Sequence, residues 1–215
     1  MSKPYTEAIL AEQLSRDRTW RIREISDLKV AVKRADSSLR QVLLRSLVTI
    51  CYAHWEGSVR LAARKYLEHI ALRKFRFDQL NPQFLRNYFL PRLASLANSK
   101  GSISERCDIV DEILSGPGNQ FKRVNEDLVN TKSNLNYDVL KDICLVCGIS
   151  LDAFEGRETF IDIVLLKRRN AIAHGEDTLI GLEDLDLVAD GTVELMRAFG
   201  DALENHAYLG AYKAA

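Results

Sequence analysis

LRQVLLRSLVTICYAHWEGSVRL, residues 39–61, is the stretch that decides the fold. Stepped round a helix at about 100° per residue, it puts Arg45, Thr49, Tyr52, Glu56 and Arg60 on one narrow stripe. Leu39, Val42, Leu43, Leu44, Leu47, Val48, Ile50, Cys51, Trp55 and Val59 cover almost everything else. A helix that is hydrophobic nearly all round is buried among other helices, so its polar stripe faces water, a partner or a site. The stripe also reads as a solvated edge with Glu56 and Arg60 paired at i,i+4. His54 falls on the apolar side, near Leu43, Leu47 and Leu61, which is the position of a core histidine.

Working outward, the same periodicity predicts helices through the rest of the chain. Residues 6–34 form a long charged helix with a thin apolar stripe (Ala8, Leu10, Leu14, Ile22, Ile25, Leu28). Ser38 and Gln41 have the spacing of a capping box before the central helix, which runs to about residue 73. Asn81 and Pro82 open a helix to about residue 97, and Ser102 with Glu105 forms a second box before RCDIVDEIL. SGPGN at 115–119 and the Asn-rich 130–136 read as loops, the segments expected to be most mobile. Helices at about 136–147, 157–174 and 182–206 complete the chain. No alternating run long enough for a strand is present, nor a repeat. The fold class is all-α: a helical bundle over 36–215 with an N-terminal helical arm over 1–35, together one structural domain.

Composition narrows the chemistry. Thirty basic residues balance thirty acidic ones in 215, so a polyanion must be held by a local patch. Cys144 and Cys147 form a C-x-x-C without a second pair to complete a zinc set. Ile143, Leu145, Val146 and Ile149 around them favour buried thiols over a redox pair. The charged N-terminus has no apolar signal region and no stretch approaches the roughly 18 apolar residues of a membrane span, so a cytoplasmic protein is expected.

The polar chemistry gathers in LLKRRNAIAHGED, residues 165–177. Regular helical steps place Asn170 and His174 together at i,i+4, with Arg169 and Asp162 on another strip and Leu166 and Ala173 between them. That patch suits a neighbouring protomer. Gly175 can take the left-handed conformation that ends a helix, leaving His174 at its last turn. The carbonyl end of the helix favours an imidazolium there, while Lys167, Arg168 and Arg169 oppose it. A histidine and an arginine within reach of each other suit proton transfer and stabilisation of a charged phosphoryl group. The same residues also read as a helix cap with cations answering the dipole.

KRRNAIAHGE resembles the R-x4-6-H signature of the HEPN superfamily. The Ala-His-Trp-Glu-Gly block at 53–57 and NLNYDVLKDICLVCGIS at 134–150 are similar to the standalone prokaryotic MAE-type HEPN-like nucleases. The resemblance covers roughly residues 35–205. It implies an all-α HEPN fold, a homodimer with a composite site where two motif helices meet, and a metal-independent endoribonuclease. Such a protein belongs to a toxin-antitoxin or antiviral defence system, with an antitoxin or defence-system protein as partner. Arg169 and His174 would be the catalytic pair, with Asn170 supporting them. Glu56 joins them only because it lies on the central stripe. Attack by the RNA 2′-hydroxyl needs no metal or other cofactor, since the nucleophile belongs to the substrate. RNA affinity is assigned to Arg73, Lys74 and Arg76, interleaved with Phe75 and Phe77, although helix-end charges over buried rings explain that segment equally. A non-catalytic dimerisation or nucleotide-binding scaffold is the alternative.

Overall fold

The computed structural model describes residues 5–98, 102–131 and 134–214. Among them the chain is helical, with isolated bridges between Arg76 and Gln120 and between Leu80 and Lys213 in place of any strand. The first helix, α1 (Glu7–Arg34), is capped by the Thr6 hydroxyl, and Lys33 and Arg34 sit in its last turn, where cations suit the carbonyl end. It buries Leu10, Leu14, Ile25 and Val32 against the bundle. It lies along α2 (Ser37–Leu72) and α7 (Asp184–Tyr208).

The central helix α2 is 36 residues long. It starts two residues earlier than the sequence spacing suggests, because Asp36, not Ser38, supplies the cap: its carboxylate accepts the Leu39 N–H at 2.9 Å. Trp55 is fully buried between Phe154 and Phe199, which fixes α2 against α7. Burial of a side chain of that size is worth roughly 1.5–3 kcal/mol. Gly57 gives α1 its close approach, since a Cβ there would lie 2.8 Å from the Arg21 guanidinium.

α3 (Pro82–Asn98) begins after Asn81, whose side chain accepts the Gln83 N–H. Both bonds of the expected Ser102–Glu105 box are made at the start of α4 (Ile103–Ser115), a helix that buries no residue. α5 (Tyr137–Cys147) is capped by Asn136 and ends on Gly148 at φ 69°, and its Cys144 and Cys147 are free, buried thiols. Burial pushes the Cys144 thiol up to about 12 and raises the Cys147 thiol as well, which leaves both protonated and inert.

The motif helix is not uniform. Its first part, Phe160–Lys167, is π-helical and continues directly into α6 (Arg168–Ala173). A π run has more residues per turn than an α-helix, so steps of 100° misplace side chains across it. Asp162, expected beside Arg169, instead accepts the Tyr137 N–H at the start of α5, while Arg169 turns to α2. Phe160 holds the run against α7, where Gly191 leaves room: a Cβ on Gly191 would meet its ring at 2.6 Å.

Candidate active site

The site forms where α6 crosses the polar stripe of α2. The Arg169 guanidinium carbon lies 4.1 Å from the centre of the Tyr52 ring. Such a cation–π contact is worth about 2 kcal/mol when desolvated. Tyr52 is itself buried, and its hydroxyl oxygen accepts the Leu135 N–H at 2.5 Å. Burial raises the pKa of that hydroxyl and Glu56 adds to the rise, while hydrogen bonds from Arg169 and from the Leu135 amide oppose it. One turn further along α2, Glu56 accepts a hydrogen bond from the Thr131 hydroxyl at 2.5 Å. Thr131 and Leu135 are therefore each tied to α2, and Asn134 is tied to α6 by accepting from the Asn170 amide at 3.3 Å.

Downstream, the helix end is built as the sequence suggests. Gly175, at φ 79°, donates to the Ile172 carbonyl, and Glu176 donates to the Ala171 carbonyl. This double closure is a Schellman motif. It leaves His174 exposed as the C-cap that follows the helix, its amide bonded to the Asn170 carbonyl. Arg45, the first residue of the α2 stripe, donates to the Glu176 carbonyl at 2.9 Å and lies 3.7 Å from Asp177, so α2 also holds the loop after the motif. Of the three consecutive cations, Arg168 pairs with Asp184 of α7 at 3.2 Å. Lys167 is exposed, and Arg169 alone is directed onto Tyr52.

The structure thus gathers Arg169, Asn170, Glu56 and the α2 stripe around one crossing, with His174 at its edge. It does not bring Arg73, Lys74 and Arg76 there. These lie past the far end of α2, some 30 Å from Tyr52 at about 1.5 Å per residue. Arg73 contacts Glu7 at 2.5 Å and Arg76 forms a two-point pair with Asp78. His54 is the core histidine expected, held between Glu24 at 2.8 Å and Arg21 at 3.4 Å. Two residues of the crossing lie outside the sequence-based set. Tyr52 is visible on the α2 stripe one turn before Glu56, and its role follows once Arg169 is seen above it. Thr131 carries no local signal, because its partner is 75 residues away.

An all-α bundle with an Arg–Asn pair and a helix-ending His–Gly on one motif helix defines the HEPN class. Residues 16–205 match the RiboL-PSP-HEPN family, and the chain belongs to it. The sequence resemblance had pointed to the MAE-type branch of the same superfamily; the match also takes in most of α1. No curated protein and no solved structure matches the chain. Among the described residues no helix is long and apolar enough to cross a membrane.

Proposed function

We propose that the protein is a metal-independent endoribonuclease of a prokaryotic toxin-antitoxin or antiviral defence system, acting as a homodimer. Ribonuclease is the typical activity of the superfamily to which it belongs. The observation that carries the reading is the contrast between Arg169, fixed on Tyr52, and His174, exposed five residues later. A held cation suits a phosphorane whose charge develops in place. An exposed imidazole suits a proton that must pass to and from substrate.

In this mechanism the 2′-hydroxyl loses its proton as its oxygen attacks the adjacent phosphorus. The bond to the 5′-oxygen breaks, leaving a 2′,3′-cyclic phosphate and a 5′-hydroxyl. His174 moves the proton, Arg169 holds the non-bridging oxygens and Asn170 positions the strand. Glu56, fixed by Thr131, orients the loop that backs Tyr52 and Arg169. The dimer reading is supported by apolar surface beside the motif: Val42, 59% exposed, shares a hollow with Ile172, and Ile163 of the motif helix is 50% exposed.

The test is incubation of wild type and His174→Ala with total RNA in EDTA, followed by end-group analysis. Cyclic-phosphate ends from wild type alone support the reading; ends from both proteins remove His174 from the mechanism. A monomer by light scattering at micromolar concentration would remove the composite site.

A further inference from the structure

The polar stripe of α2 does not stop at the candidate site. Arg60 follows Glu56 by one turn and Arg64 follows Arg60 by another, and both are exposed. Facing them across a groove is the extended segment that carries Lys122 and Arg123, also exposed. The groove consists of two adjoining hollows of about 390 and 510 Å³ that share Arg64, Lys65, Glu68 and Glu126. Glu126 pairs with Arg64 at 3.0 Å and Glu68 with Lys65 at 2.8 Å. Among the described residues Arg60, Lys122 and Arg123 enter no ion pair. Six cations line the two hollows against two carboxylates, and even with Arg21 taken by Asp17 the lining is strongly positive in a chain of formal net charge zero.

Past Arg123 and Val124 the groove opens into a third hollow of about 360 Å³ with a different character. Leu67 and Phe121, both buried, contribute apolar lining, and Tyr88 contributes a ring that is 47% exposed. That ring is set by its neighbours, with Phe77 at 5.4 Å and Phe89 at 4.9 Å between centroids. Asn125, whose carbonyl oxygen accepts the Asp127 N–H, adds an amide NH2 that can meet a polar edge, whereas the buried Asn87 amide is taken by Gln83 and the Val146 carbonyl.

Cations that track a backbone, ending at an aromatic-lined hollow, are the two components of single-strand recognition. We infer that this groove is an extended subsite for single-stranded RNA: Arg60, Arg64, Lys122 and Arg123 hold phosphates flanking the cleaved bond, and an unpaired base enters the hollow beside Tyr88. The inference rests on the ribonuclease reading for what happens at Arg169, and supplies what that reading lacks, a reason for the strand to lie along α2. From Tyr52 to Leu67 is about 22 Å of helix, the span of a short strand rather than of a single nucleotide. A base paired in a duplex cannot reach the hollow, so the groove selects unpaired RNA.

The test uses the full chain carrying His174→Ala, which keeps the probe intact, and a fluorescent 12-nucleotide single-stranded RNA read by anisotropy over a salt series. Lys122→Glu with Arg123→Glu is expected to weaken binding at least tenfold and to flatten the salt dependence, each lost phosphate contact being worth about 0.7 in the log–log slope. Tyr88→Ala is expected to weaken it roughly tenfold with the slope unchanged, as for loss of one stacked base. All three positions are exposed, and unchanged thermal melting excludes a folding effect. Affinity unaltered by these substitutions, or equal for a duplex of the same length, overturns the groove. The same substitutions in the active-site-intact chain, assayed on a dinucleotide too short to reach Arg64, separate the two claims. A wild type that cleaves neither RNA nor dinucleotide but binds the 12-mer through Lys122, Arg123 and Tyr88 keeps the groove and removes the nuclease. A wild type that cleaves while binding ignores these residues does the reverse.

Discussion

His54 and Glu56 are two residues apart on α2 and enter two clusters made of nearly the same residue types. On the α1 side, His54 meets Arg21 and Glu24, Asp17 takes the Arg21 guanidinium in a two-point pair, and the Trp20 ring sits edge-on to the imidazole. On the other side, Glu56 takes the Thr131 hydroxyl while Tyr52 carries Arg169, and the histidine of that side, His174, is left in solvent. The first cluster is closed: each charged group has its partner inside the chain. The second is open at the atom best able to move a proton. Residue type alone does not separate a structural arginine–histidine pair from a chemical one; the closure of its neighbours does.

Removing the open histidine should have the largest effect. His174→Ala is expected to lower RNA cleavage by about 10²–10⁴-fold, the range of general acid–base catalysis. An exposed side chain leaves stability within about 0.5 kcal/mol of wild type. Cleavage rates and urea midpoints on one preparation check both halves, and a large stability loss would place His174 with the closed cluster.

Breaking the closed cluster should do the opposite. Arg21→Ala strands the Asp17 carboxylate, whose side chain is 10% exposed, and also removes a neighbour of His54. Loss of one member of a buried pair costs about 3–5 kcal/mol, with cleavage per folded molecule unchanged. Gly191→Ala sharpens the point at the motif helix. The added methyl meets Phe160 and should cost about 1–3 kcal/mol by overpacking. Since Phe160 anchors the run leading to Arg169, cleavage should fall too, which chemical denaturation beside rate measurement would show. Tyr52→Phe keeps the ring under Arg169 but leaves the buried Leu135 amide without its acceptor, at about 1–3 kcal/mol.

Much of this arrangement can be read from sequence where the forces are local. The all-round apolar α2, the Ser102–Glu105 box and the Gly175 helix end each depend on residues within one or two turns. The contacts that complete the site do not. Thr131 reaches Glu56 across 75 residues and the Leu135 amide reaches Tyr52 across 83, and neither pairing leaves a periodic trace. The π-helical run is hidden for another reason: its apolar residues fit an α-helical pattern well enough, and only packing against Gly191 and α5 reveals the extra residues per turn. The Asp36 cap shows a smaller limit, since Asp36, Ser37 and Ser38 are all competent caps and the sequence spacing does not choose among them.

The smallest expected effect distinguishes the two sides by pH. Burial holds the pKa of His54, His69 and His206 below the ordinary histidine value. For His54, Arg21 also lowers it while Glu24 and Asp17 pull it back; for His69, Arg73 lowers and Glu7 raises it. A folded pKa below the unfolded one means that the unfolded chain binds more protons on acidification. The histidine contribution to stability is therefore complete above about pH 6.5, the unfolded value, and is lost as pH falls through the folded ones. Urea unfolding between pH 5 and 8 should show this decline, and His54→Gln, which removes one titrating group from the closed side, should make it shallower. A slope that does not respond to His54→Gln would overturn the assignment of His54 to a closed cluster.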